Sequence, residues 1–238
     1  MANPYFQFKE FTVYHDRCAM KVTTDASLFG AWMAKHLDNA KPAFKALDIG
    51  SGTGLLSLMI VQKHDISVDA IEIEPEAAEQ ARENIAASPY ASQIRVEHSD
   101  IVQWKQSSYD IIFSNPPFYE KELKSPLSNK NIAHHNDSLT LGVLLKVIQE
   151  KLKEDGNFYL LLPYKREKES MALLATFQLF VYRKVLVHPS AQHMPIRIML
   201  KGGKQDLPMI EECLFIRERD GNYTKAFTEL LKDYYLYL

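Results

Sequence analysis

The run Asn115-Pro116-Pro117-Phe118-Tyr119 contains the residue types in this chain that point most directly to a reaction. Two adjacent prolines hold the backbone extended and remove an amide donor, so the Pro116 carbonyl has no N–H partner in the next residue. Together with the Asn115 side-chain oxygen it forms a rigid pair of acceptors. Such a pair suits a planar NH2 group whose lone pair is delocalised and which is a weak nucleophile in water. Holding both hydrogens favours pyramidalisation and frees the lone pair for in-line attack on an electrophilic carbon. No strong base is needed, because the N–H protons become acidic only as the new bond forms. Phe118 is suited to stack on a base drawn away from its neighbours. Asn115, Pro116, Pro117 and Phe118 are therefore the expected catalytic set. The set does not choose between adenine N6, guanine N2 and a glutamine side-chain amide.

A second cluster precedes it. The stretch LDIGSGTG places Asp48 at the end of an apolar run and Gly50, Gly52 and Gly54 within five residues, ahead of a helix-forming segment. Glycines there let backbone approach a ligand closely at a helix N-terminus. The spacing G-x-G-x-G differs from the dinucleotide fingerprint, and no Lys-Ser/Thr of a phosphate loop follows. Glu72 ends the next strand-like run, where a carboxylate can accept both hydroxyls of a ribose. Asp100 ends the third, where it could accept the exocyclic amine of an adenine. Three acids at the carboxyl ends of successive strands beside a glycine loop predict a nucleoside-bearing cofactor. The expected cofactor residues are Asp48, Gly50, Ser51, Gly52, Thr53, Gly54, Glu72, Asp100 and Ile101, with Asn115 shared. Over residues 44–163 this pattern resembles the class I S-adenosylmethionine methyltransferases, and an NAD dehydrogenase is the alternative for the same residues.

These residues need a scaffold that brings strand ends together. Phe44–Ile49, Ser67–Ile73, Ile94–His98, Asp110–Ser114 and Phe158–Pro163 read as strands, and Leu55–His64, the segment opened by Pro75 and about Thr140–Lys153 read as helices. This alternation predicts an α/β, Rossmann-like fold: a mostly parallel twisted sheet with helices on both faces. Later strands at Phe180–Val187, Ile196–Lys201 and Cys213–Arg217, joined by turns such as KGGK, predict an antiparallel edge. One domain is expected over 1–238, with an N-terminal flanking segment (1–43), a cofactor core (44–163) and C-terminal strands and helix (164–238).

Composition excludes several classes. The 238 residues are 46% hydrophobic and 24% charged, which is that of a globular chain. The longest nearly apolar run, Met171–Tyr182, spans 12 residues, against the roughly 20 needed to cross a bilayer. The opening residues lack a basic segment followed by an apolar one, so a cytoplasmic location without a membrane partner is expected. Two cysteines, Cys18 and Cys213, make no disulfide framework, and His15 with Cys18 supplies too few ligands for a metal. The net charge is −2, but Met171–Gln205 has five bases and no acid. This makes Arg183, Lys184, Arg197, Lys201 and Lys204 the expected contacts for a polyanion, joined by Tyr119, Lys121 and Lys124 after the proline turn.

The chain as a whole resembles the bacterial tRNA1(Val) adenine-N6 methyltransferase family. The resemblance rests on FTVYHDRCAMKV with Thr24 and Asp25, on LDIGSGTGLLSLM, EPEAAEQARENI and SNPPFY, and on the C-terminal NYTKAFTELLKDYYLYL. It implies S-adenosylmethionine as cofactor, tRNA as partner with no obligate protein partner, and the adenosine 3′ of the anticodon as target. It also implies that Thr24 and Asp25 lie near the methionine end of the cofactor. Ala26 and Ser27 depart from the family's more usual Gly and apolar residue. Guanine-N2 methylation of ribosomal RNA, glutamine methylation of a protein and a non-catalytic RNA-binding module are the alternatives. Tyr234, Tyr235 and Tyr237 are expected to pack against the sheet.

Overall fold

The computed structural model describes residues 3–37, 43–116 and 139–238. A central sheet of eight strands has the order β10-β8-β9-β7-β6-β3-β4-β5, where β3 is Lys45–Ile49, β4 Ser67–Glu72, β5 Ile94–His98, β6 Tyr109–Ser114, β7 Leu152–Pro163, β8 Phe180–Ser190, β9 Arg197–Gly203 and β10 Ile210–Arg217. The helices are α1 Thr24–Lys35, α2 Leu55–Val61, α3 Pro75–Ala86, α4 Leu141–Lys151, α5 Glu167–Thr176 and α6 Lys225–Leu231.

Strand alternation divides the core into two layers. Ala46, Ile111, Phe113, Tyr159 and Leu161 join Leu28, Met33 and Met59 of α1 and α2 on one face. Their sequence neighbours Leu47, Ile112, Phe158, Leu160 and Leu162 join Leu144 and Ile148 of α4 on the other. Helix starts follow their side chains: Thr140 Oγ1 accepts from Val143 N at 3.3 Å, Thr224 Oγ1 accepts from Phe227 N at 3.1 Å, and Pro75 occupies the first turn of α3.

The C-terminal half departs from expectation in three ways. Among the described residues only β9 is reversed: it runs antiparallel to β7 and β8, while the outermost strand β10 pairs parallel with β8. The reversed strand is therefore internal, and the edge itself is parallel. The KGGK segment lies at the end of β9 rather than in a turn, because the Phe158 ring crosses the backbone at Gly202, where a Cβ would fall 2.3 Å from that ring. Of the tail tyrosines, Tyr234 and Tyr235 are buried but Tyr237 is 89% exposed. The buried pair packs on α2 and the N-terminus: Tyr234 donates to the Met59 carbonyl at 3.0 Å, and Tyr235 bridges to Phe8.

That N-terminus forms a short antiparallel hairpin, β1 Tyr5–Gln7 with β2 Thr12–Tyr14, which the sequence pattern did not indicate. Among the described residues no helix is long and apolar enough to cross a membrane.

Candidate active site

Parallel pairing brings Ile49, Glu72, His98 and Ser114 to one end of the sheet. The glycine loop follows β3 there. Gly50, Gly52 and Gly54 have φ of 70°, 53° and 80°, conformations that strain residues with a Cβ. The Gly50 and Ser51 amides both donate to the Ile71 carbonyl, at 2.9 and 3.1 Å. A Cβ at Gly50 or Gly52 would meet nothing within 4 Å, so the loop backbone borders open space.

Glu72 organises this loop. Its Oε2 accepts from Gly52 N at 2.8 Å, and its Oε1 accepts from Ile73 N at 2.9 Å and Glu74 N at 3.0 Å. Asp48 is buried beneath, where Oδ2 accepts from Ser57 Oγ at 2.7 Å. Asp48 Oδ1 and Ser51 Oγ are buried with no hydrogen-bond partner among the described residues. Burial pushes the Asp48 carboxyl up to about 7, the Ser57 bond opposes this, and the charge of Glu72 adds to it. Thr53 is buried, Ile101 packs in the core beside Ile49 and Ile71, and Asp100 is half-buried with Oδ1 accepting from Val102 N at 2.9 Å.

At the end of β6 the Ser114 hydroxyl donates to the Ile49 carbonyl at 2.7 Å, tying the strand end that precedes Asn115 to the glycine loop. Asn115 follows half-buried and Pro116 buried. Pro117, Phe118, Tyr119, Lys121 and Lys124 lie outside the described residues.

The structure adds residues that the sequence reading missed. Asn84 of α3 is buried, donates to the Thr53 and Tyr14 carbonyls at 2.9 Å each, and accepts from Tyr14 N at 2.9 Å. Gln80, one turn earlier, accepts from Arg17 N at 3.2 Å. The two amides fasten the HDRC segment to the glycine loop, and their signal was a polar i, i+4 pair within the stripe of Ala77, Ala81 and Ile85. His15 is held through both nitrogens, Nε2 by the Asn3 carbonyl at 2.9 Å and Nδ1 by Val22 N at 3.4 Å. Burial and the Glu72 charge push the Cys18 thiol up to about 11, so it stays protonated. Among the described residues no group of three or more His, Cys, Asp or Glu could hold a metal.

Thr24 opens α1 behind the Thr23 cap. Asp25 pairs with Arg197, Oδ2 to Nε 2.8 Å, which joins a residue expected at the cofactor to one expected at the RNA.

The remaining bases of the acid-free stretch require a correction. Lys184 is buried between Glu167 and Glu211, Arg183 pairs with Glu212, and buried Lys201 donates to the His36 carbonyl at 2.7 Å. The acids come from α5 and β10, the elements on either side of the stretch, and lie just outside it in sequence, so a count within the stretch could not reveal them. Register places Lys201 and Arg183 level with Tyr159 and Phe113, and Lys184 level with Leu160 and Ser114, so their ion pairs and burial occupy them rather than their height in the sheet, whereas Lys204 follows Gly203, opposite Phe180 at the start of β8. Arg197, opposite Pro163 and Val187, lies three residues beyond the level of Ser114, past the end that carries Asn115.

Comparison with known proteins gives a consistent picture. The methyltransferase small domain family matches residues 27–176. A Bacteroides thetaiotaomicron protein named tRNA1(Val) (adenine(37)-N6)-methyltransferase is 37% identical over 241 residues, covering 100% of both chains. A Phocaeicola vulgatus protein of the same name is 39% identical over 99% of each. Among solved structures, a predicted O-methyltransferase from Agrobacterium tumefaciens superposes with a TM-score of 0.69 at 15% identity, over 88% of this chain and 96% of the other. A geranyl diphosphate methyltransferase, solved with S-adenosylmethionine, gives 0.59 at 12% identity over 85% and 100%. The last two establish the fold alone.

Proposed function

We propose that this chain, which belongs to the tRNA1(Val) (adenine(37)-N6)-methyltransferase family, methylates adenine N6 in tRNA with S-adenosylmethionine, at position 37 of tRNA1(Val) as its relatives' names specify. The observation that carries the reading is identity of 37–39% across essentially whole chains of that name. It favours adenine over guanine N2 and a glutamine amide, which the acceptor pair alone would also admit. A cytoplasmic location accords with tRNA as substrate.

The residues fit the cofactor. The loop backbone faces open space, a pair of buried oxygens on Asp48 and Ser51 lacks partners among the described residues, and two further acids flank the loop. S-adenosylmethionine supplies an electrophilic methyl group on a sulfonium. Glu72 takes the ribose hydroxyls. A carboxylate offers about four lone-pair sites; three are occupied by the Gly52, Ile73 and Glu74 amides. Binding both hydroxyls therefore exchanges the Gly52 bond. Asp100 accepts from the adenine amine, and the exposed side chains of Ile73 and Val102, each next to one of these acids, flank the ring.

The Asn115 side-chain oxygen and the Pro116 carbonyl accept the two hydrogens of the target amine and turn its lone pair toward the methyl. The proton released on bond formation leaves through Asn115 to water. Phe118, assigned by residue type, stacks on the extruded base. Nucleoside mass spectrometry of total tRNA from a strain lacking this protein tests the reading: N6-methyladenosine should disappear and return on complementation, and an unchanged level would refute it.

A further inference from the structure

The exposed large apolar side chains at the carboxyl end of the sheet fall on both sides of Asn115. Ile73 and Val102, 52% and 60% exposed, stand over β4 and β5. Met194 and Ile196, 72% and 42% exposed, stand on the turn between β8 and β9, on the opposite side in the strand order. That turn leaves β8, three strands from β6, and enters β9, two strands from it, a lateral offset of about 10–15 Å at the usual strand spacing.

The turn is built rigidly. His193 N donates to the Ser190 carbonyl at 3.1 Å, and His193 Nδ1 lies 2.8 Å from Ser190 Oγ. His188 Nδ1 bonds the His193 carbonyl at 2.9 Å, Ile196 N donates to the Val187 carbonyl at 2.8 Å, and the Ile196 carbonyl accepts from Tyr164 N at 3.1 Å. Pro195, between the two exposed residues, is buried and braces them. A fixed turn that holds Met and Ile out to water gains nothing for the fold from doing so.

The turn's own residues carry no net charge to repel a polyanion: residues 188–197 contain two histidines, one arginine and no acid, and that arginine is balanced by Asp25. An adenine cannot present N6 in line while stacked, so its neighbours must be parted, and apolar Met, Ile and Pro side chains are the ones that insert between bases.

We propose that Met194 and Ile196 form an apolar wedge against the nucleotides that flank the target adenine in the tRNA loop, on the side of Asn115 away from the cofactor. This rests on the tRNA reading above. Stacking on bases differs from phosphate contact in its salt response: a lost phosphate contact flattens the dependence of log affinity on log salt, whereas lost stacking lowers affinity at unchanged slope.

The test compares wild type, Met194→Ser/Ile196→Ser and Met194→Leu, using tRNA1(Val) transcript. Fluorescence titration without cofactor at several salt concentrations should show about tenfold weaker tRNA binding for the double variant at unchanged slope. Its tRNA KM should rise by a similar factor while S-adenosylmethionine affinity and thermal midpoint stay at wild-type values, and Met194→Leu should behave as wild type. Wild-type tRNA affinity in the double variant, or a flattened slope, overturns the wedge. A change in oligomeric state by light scattering at unchanged tRNA affinity also overturns it, and identifies the face as a contact between copies of this chain. If the wild-type protein methylates no tRNA at all, the functional reading fails instead, an outcome read before any variant is compared.

Discussion

Replacing Asp48 with asparagine should stabilise the cofactor-free protein at alkaline pH and not at acid pH. The carboxyl is 1% exposed, has one partner in Ser57, and is pushed up to about 7 from an ordinary 3.8. For an acid raised in the folded state, both states are protonated and equal below about pH 4. Between about 4 and 7 the unfolded chain ionises while the folded one stays protonated, so stability falls as pH rises, and the full penalty is present above about 7. At about 1.4 kcal/mol per tenfold change in proton affinity this comes to at most about 4 kcal/mol. Asparagine removes this pH-dependent penalty but leaves an amide NH2 in place of a carboxylate oxygen, a cost of about 1–3 kcal/mol that does not depend on pH. The diagnostic quantity is therefore the variant-minus-wild-type difference measured by urea unfolding at pH 4.5 and again at pH 8. It should shift in the variant's favour by about 3–4 kcal/mol between the two, while S-adenosylmethionine affinity falls. Retaining a destabilising acid then makes sense as a cost of the site. An equal difference at both pH values would show that Asp48 ionises normally and that the burial argument is wrong.

Asn115→Ala should lose turnover with S-adenosylmethionine affinity near wild type, measured by single-turnover methylation beside calorimetry, whereas Phe118→Tyr should remain active. Asp100→Ala should weaken cofactor binding by about 1–3 kcal/mol in calorimetry, the range for a lost partner to a buried polar group. Lys204→Glu, at the amino ends of the strands, should leave tRNA affinity unchanged in a filter-binding assay. Lys201→Glu should instead lower unfolding free energy by more than about 2 kcal/mol, because it buries a carboxylate against the His36 carbonyl.

What the sequence revealed and what it hid have separate physical causes. The strands ending at Ile49 and Ser114 were legible as short apolar runs of the buried sheet centre and Ser67–Ile73 by its alternation, and the structure brings their ends together with that of the shorter, more exposed Ile94–His98. Helix α1 was not legible as a helix, since nine of its twelve residues are buried and no amphipathic stripe remains. The glycines of KGGK resembled a turn because glycine is ambiguous between conformational freedom and close packing, and only the Phe158 ring decides between them. The basic stretch misled for a related reason: its acids, Glu167, Glu211 and Glu212, lie on other elements, and charge counted along a chain says nothing about partners brought in by folding. Gln80 and Asn84 stand out locally as a polar i, i+4 pair in an apolar stripe, but their partners, the backbone of Arg17, Tyr14 and Thr53, are set by a tertiary approach that this pattern does not encode.

The most direct test of the central claim uses purified protein, S-adenosylmethionine carrying a labelled methyl, and two transcripts of tRNA1(Val) that differ only at position 37. Label is expected in the adenosine-37 transcript, recovered as N6-methyladenosine on nucleoside digestion, and none in the guanosine-37 transcript. Label in both transcripts, or label recovered as another methylated nucleoside, would contradict it.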